Sequence, residues 1–162
     1  MHACPCGNYF SPHKTCHCHP TKIRNYLGKI SGPLLDRIDL HIETPQVKYQ
    51  ELSDTQNAES SQAIKQRVET ARKIQHERFQ SSGIFYNAQM SNKLTKKYCI
   101  LNNAAKTLLR MALSELGLSA RGYDKILKVS QTIADLAGSE IICSEHISEA
   151  IQYRSLDKNL WE

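Results

Sequence analysis

The chain has 162 residues, 40% hydrophobic and 23% charged, with seven Gly and five Pro and a net charge of +5. That is the make-up of a globular protein with one ordinary core, or a small domain plus an appendage, and it argues against a disordered or collagen-like chain. No apolar run approaches the ~18 residues a bilayer crossing needs, and MHACPCG has neither a basic nor an apolar leader region, so the expected location is the cytoplasm with no membrane partner.

In chain order, residues 1–20 come first, rich in Cys, His and Pro and without periodicity. They hold four of the six cysteines, as two Cys-x-Cys pairs, Cys4/Cys6 and Cys16/Cys18. A segment this small and polar cannot bury a core and needs an external staple. In a reducing compartment a clustered pattern favours a metal over a disulfide framework, although spacing alone leaves both open. Four thiolates can make a closed tetrahedral zinc site. His13, His17 and His19 lie nearby and read as bystanders. Cys99 and Cys143 stand apart and read as small buried hydrophobes.

Residues 21–30 read as a short helix, followed by the break Ser31-Gly32-Pro33. Ile38, Leu40 and Ile42 then alternate with Asp39, His41 and Glu43, the period of a half-buried strand stopped by Pro45. One strand without partners suggests a chain that begins inside a larger fold. Residues 45–60 read as a linker.

From Ser60 the pattern turns helical. Ile64, Val68, Ala71 and Phe79 mark one face, with Ile74 at its edge. Ala105, Leu108, Leu109, Ala112, Leu113 and Leu116 form the clearest helical stripe, closed by Gly117. Ser119 opens the next helix, with Ile126, Val129, Ile133, Leu136 and Ala137 expected inward and Gly138 as its stop. Ser144 is the expected N-cap of a last helix carrying Ile147, Ala150 and Ile151. Residues 61–155 are therefore expected to form a helical bundle that folds alone, with 156–162 a tail. Between Met90 and Ser130 eight cations (Lys93, Lys96, Lys97, Lys106, Arg110, Arg121, Lys125, Lys128) face two acids, Glu115 and Asp124. Such a surface suits phosphates, or is simply a solvated helix face.

The blocks CPCGNYFSPHKTCHC, SGPLLDRIDLHIE, SARGYDKILKVSQTIADLAGSE and SEHISEAIQYRSLD together resemble the C-terminal part of the Mg-chelatase-like AAA+ ATPases of the ComM/YifB type, across essentially the whole chain. The resemblance implies a mainly α fold: the end of a truncated α/β AAA+ core over residues 1–44, with the cysteine loop, a short helix and one strand, then the helical lid over 61–155. The family consists of hexameric ATP-driven DNA motors linked to branch migration in natural transformation. Its cysteine block follows a Met-Asn-Pro run whose Asn orients the attacking water; His2 stands there in this chain. Arg37 matches the family's arginine finger, sent across the subunit interface to a neighbour's γ-phosphate. Arg121 matches the sensor-two arginine that touches its own subunit's nucleotide. The family also places a cysteine loop where Cys4, Cys6, Cys16 and Cys18 lie, which supports a structural zinc.

The residues themselves show no phosphate cradle. The only Gly-Lys, Gly28-Lys29, has Ile23 at the first glycine position of a P-loop and Ile30 at the Ser/Thr position. No apolar run ends in Asp-Glu, so a Walker B pair for Mg²⁺ is lacking too. The expectation is a chain that is not an enzyme alone, with ATP and Mg belonging to the intact family member. Its expected partners are AAA+ subunits of an intact homologue or an upstream split product, with DNA as a further candidate. The rival expectations are a stand-alone zinc-containing nucleic-acid-binding module, or an inert remnant of a disrupted gene.

Overall fold

A computed structural model describes residues 2–9, 11, 14–44 and 59–154, and for Leu116 the backbone alone. Residues 45–58 of the expected linker (45–60), the expected tail (156–162) and His13 lie outside the described residues, as does the Leu116 side chain. The described residues fall into two units, one ending at residue 44 and one beginning at residue 59.

In the first unit α1 (Pro20–Leu27) is entered through His19, whose Nδ1 accepts the Thr21 N–H at 3.4 Å. Pro20 suits this first turn because its missing N–H would have no helical partner. A single turn, α2 (Gly32–Leu35), follows Ser31. Ile23 and Leu35 are buried, one on each helix. The period-two segment is not a strand here. Ile38, Leu40 and Ile42 are 40%, 45% and 65% exposed, and no ladder involves residues 38–44 among those described. Alternation supplies one apolar face, but a strand also needs neighbours to pair with.

The second unit is helical. It comprises α3 (Ser61–Phe79), a 3-10 turn (Asn87–Gln89), α4 (Asn92–Tyr98), α5 (Asn103–Leu116), α6 (Ala120–Leu136) and α7 (Ser144–Gln152). Side chains begin several of them: Ser60 accepts from Ala63 N at 3.2 Å, Asn102 from Ala105 N at 2.8 Å and Ser119 from Gly122 N at 3.0 Å. Each cap satisfies an otherwise orphaned helix donor. Gly117 ends α5 at φ 58°, a left-handed conformation that side chains resist. After α6, Ser139 N–H reaches Ala134 O at 2.9 Å and Gly138 N–H reaches Asp135 O at 3.2 Å, the paired bonds of a Schellman stop. The cap of α7 is Cys143, one residue before the expected Ser144. Its backbone N–H donates to His146 Nδ1 at 3.1 Å, so an imidazole serves where a capping box usually has Glu or Gln.

Helix α6 is the hub, packing against α7, α3, α4 and the 3-10 turn, while α5 packs on α7. Phe79, Met90, Leu109, Ile126, Leu127, Ile142 and Ile147 build the core, and Phe79 meets Tyr98 edge-on at 5.5 Å. One parallel bridge, Leu101 to Ile142, ties the α4–α5 loop to the α6–α7 loop.

Two helix faces differ from expectation. On α6, Ile126 is buried and Val129 and Ile133 are half-buried, but Leu136 is 50% exposed and Ala137 is exposed. Leu127, Ser130, Gln131, Ala134 and Asp135 turn inward instead. The cause is polar. Buried Asp135 receives both Arg78 guanidinium nitrogens, Asn87 Nδ2 at 2.8 Å and Gln131 Nε2 at 3.2 Å. Asn87 is fixed in turn by Thr132 at 3.1 Å and by Gln75 at 3.3 Å. A buried carboxylate is tolerable only when paired and hydrogen-bonded in this way. On α3, Ala71, Gln75 and Phe79 are buried, whereas Ile64 and Val68 are 43% and 44% exposed. The network joins α6 through Gln75 and Arg78, so only the second half of α3 is drawn into the core.

Candidate metal centre and arginine sites

The chain at Cys4-Pro5-Cys6-Gly7 folds back on itself, with Gly7 N–H donating to Cys4 O at 3.1 Å. Gly7 takes φ 79°, open to glycine and strained for other residues. Pro5 presets the turn and sends both sulfurs to one side. Cys16 and Cys18 approach on an irregular stretch that runs straight into α1.

The four sulfurs converge. Cys4–Cys6, Cys6–Cys16 and Cys16–Cys4 are separated by 3.3, 3.6 and 3.7 Å, and all four lie within 4.8 Å of one another. A disulfide needs about 2.05 Å, so these are free thiols. Four thiolates at about 2.3 Å from a tetrahedral Zn²⁺ stand about 3.8 Å apart, so the cluster fits that ion closely. Cys4 is fully buried and Cys6 exposed. His17 is exposed and His19 is engaged as the α1 cap, so among the described residues sulfur is the donor set.

The thiols also divide electrostatically. Cys6 is drawn down to about 6, first by the backbone N–H of Asn8 and then by hydrogen bonds from Cys4 and Cys18. For Cys16 the backbone N–H of Cys18 pulls downward. Desolvation and the hydrogen bonds to Cys6 and Cys4 outweigh it, and the thiol is pushed up to about 12. Cys18 is pushed up chiefly by its hydrogen bond to Cys6. The Cys6 thiolate thus forms more readily than those of Cys16 and Cys18. Cys99 differs: burial in the core pushes it up to about 12, as an inert hydrophobe.

Arg37 lies exposed just past α2, its Nη1 donating to Pro33 O at 3.1 Å. Arg121 is exposed in the first turn of α6. The two belong to different units. Lys128, counted with the basic face, reaches Ala88 O at 3.3 Å. An open cleft beside α7 is lined by Leu108, Glu145, Glu149 and Tyr153 among others, and its two carboxylates make it unsuited to phosphate. The Arg78–Asp135 pair escaped sequence reasoning, since partners 57 positions apart leave no local signal.

Comparison with known proteins supplies the context. Residues 1–52 match the family model for magnesium chelatase, subunit ChlI, and residues 58–154 match that for the ChlI C-terminal region. Competence protein ComM of Haemophilus influenzae is 40% identical over 157 residues, 96% of this chain and 30% of ComM. The protein YifB of Escherichia coli is 38% identical over 161 residues, 99% of this chain and 31% of YifB. A Mycobacterium tuberculosis protein is 35% identical over 151 residues, 93% of this chain and 29% of that protein. The chain thus spans about 30% of the length of the curated relatives it matches. With a family model covering more than half its residues, the chain belongs to the magnesium chelatase subunit ChlI family.

Proposed function

We propose that this chain acts as the C-terminal part of a ring-forming AAA+ motor of the ComM/YifB type, and that it does not hydrolyse ATP alone. The observation that carries the reading is the succession of the two family matches, 1–52 then 58–154, along one chain. On this reading residues 1–44 are the end of an α/β core and 61–155 the helical lid. Arg37 is the arginine finger supplied to a neighbour, where such a guanidinium stabilises the charge of the departing phosphoryl group, worth about 10³–10⁵ in rate. Arg121, at the start of a long helix, is the sensor-two contact to nucleotide. The sulfur cluster takes a structural Zn²⁺, because a closed all-thiolate set leaves no open position for catalysis. Cys4, Cys6, Cys16 and Cys18 would hold it, and its charge would cross-link a segment that has little apolar core of its own.

Within a ring this chain completes a neighbouring active site while leaving its own position without a phosphate cradle. Titrated into the ATPase of an intact homologue, the chain should co-elute with it and lower turnover at high molar ratio. Arg37→Ala should inhibit more strongly, because the one site the chain can complete is lost as well. Neither co-elution nor inhibition would overturn the assignment.

A second reading has its own support. From Met90 to Ser130 the sequence contains eight Lys/Arg against two acids, Glu115 and Asp124, a composition suited to a polyanion. A zinc-stapled nucleic-acid-binding module would bind DNA as the isolated chain, with affinity falling steeply with salt.

A further inference from the structure

We infer that metal occupancy of the four-cysteine knot sets the position of Arg37, so that the knot is the anchor of the arginine offered to a neighbouring subunit. The inference rests on the reading of Arg37 given above. It is carried by two successive runs of backbone turns between the last sulfur and the guanidinium, joined at Ile30–Ser31.

Helix α1 begins directly after His19, the neighbour of Cys18, and the His19 carbonyl accepts the Lys22 and Ile23 N–H groups at 2.9 and 3.1 Å. At the far end of α1, Gly28 N–H reaches Arg24 O at 2.8 Å and Ile30 N–H reaches Leu27 O at 3.0 Å. The next turns come at once: Leu34 and Leu35 N–H on Ser31 O at 2.9 and 3.1 Å, and Asp36 N–H on Gly32 O at 2.9 Å. Arg37 N–H then reaches Leu34 O at 3.0 Å, while its Nη1 reaches back to Pro33 O. The joint of this rod is Ile30–Ser31, and Pro33 stiffens the turn that carries Arg37.

A rod holds its tip only if its base is fixed. An eight-residue helix is not stable alone in water. Among the described residues of this unit the buried apolar side chains are Cys4, Ile23 and Leu35, of which the first is itself a knot sulfur. Little apolar burial is therefore left to fix the base. The four sulfurs can fix it, provided a cation offsets the charge of four thiolates held this close. Without the cation the sulfurs separate, α1 loses its base and Arg37 loses its frame.

Hydrogen exchange on the full chain tests this, with one equivalent of Zn²⁺ and again after a strong chelator. The amides of Gly28 and of Leu34–Ile38 should lose protection by on the order of tenfold or more when Zn²⁺ leaves. Those of α5, α6 and α7 should stay unchanged, which controls for general unfolding. Cys16→Ser should reproduce the zinc-free pattern in the presence of Zn²⁺. In the ATPase titration, zinc-free wild-type chain should match zinc-loaded Arg37→Ala. Equal protection of Leu34–Ile38 with and without Zn²⁺ overturns the inference and leaves the arginine assignment standing. Zinc-loaded Arg37→Ala that inhibits no differently from wild type removes the arginine assignment, and the inference with it.

Discussion

The two units of this chain are held by different chemistry. In residues 2–44 the described buried apolar side chains are Cys4, Ile23 and Leu35, and the dominant tertiary feature is a cluster of sulfurs. In residues 59–154 a continuous core runs from Phe79 through Ile126 and Ile142 to Ile147, with an ion pair inside it. On the function proposed above, the first unit depends on one bound ion. The second spreads its stability over many contacts and should be indifferent to that ion. A short polar segment can hold a defined shape in this way, but its shape is then conditional.

The largest expected effect separates the units outright. Chelation of Zn²⁺ should expose residues 2–44 to protease while a fragment beginning near residue 59 survives, because structural zinc contributes about 10–16 kcal/mol in small zinc domains. A metal-free chain whose front unit resists protease would break the comparison.

Next comes the core of the helical unit. Asp135→Ala leaves the Arg78 guanidinium, largely buried, without its partner, which should destabilise this unit by about 3–5 kcal/mol in denaturant melts. Zinc stoichiometry should not change. Replacing both Arg78 and Asp135 by apolar residues of similar size should recover much of the loss, since the pair has to offset its own desolvation.

The pH dependence sharpens the contrast further. At pH 7 Cys6, at about 6, is already mostly thiolate, whereas Cys16, at about 12, and Cys18, also raised, must release protons to bind metal. Apparent zinc affinity should therefore weaken as pH falls, by about tenfold per pH unit for each proton displaced. The slope should steepen below about 6, where Cys6 protonates as well. Zinc binding followed by competition with a chromogenic chelator gives the slope. The melting of residues 59–154 should not track it.

The smallest effect is a cap. Asn102→Ala removes the acceptor for Ala105 N–H and should lower the stability of the helical unit by about 1 kcal/mol, again without touching zinc content.

Legibility in the sequence divides along the same line. Gly117 and Ser119 announced the ends of α5 and α6 because a left-handed glycine and a hydroxyl cap act through their own few residues. Paired Cys-x-Cys spacing likewise announced the sulfur cluster. The inner face of α6 was not legible: periodicity counts apolar residues, and Gln131 and Asp135 face inward for hydrogen bonds made to Asn87 and Arg78 in distant segments. Helix α4 escaped notice because its seven residues, NKLTKKY, carry three lysines and little apolar stripe. The alternation of Ile38, Leu40 and Ile42 was legible as a pattern, but a pattern cannot supply a partner strand. The arginines came to attention through family likeness, since an exposed Arg has no local mark of its role.

The bridge between Leu101 and Ile142 decides which insertions this fold can absorb. Asn102 N–H donates to Ile142 O at 3.1 Å and Ile142 N–H to Ile100 O at 2.8 Å, clipping together the chain just before α5 and just after α6. The stretch from α5 through α6 is thus a closed circuit whose two ends are fixed to each other. Extra residues at its tip, around Gly117–Leu118, lengthen the circuit without moving either end, and loop-closure entropy grows only slowly with such length. An extra residue inside 99–102 or 140–142 would slip the clip itself and shift a helix against the core. Length variation among chains of this fold should therefore collect in the α5–α6 connection and stop at the clip.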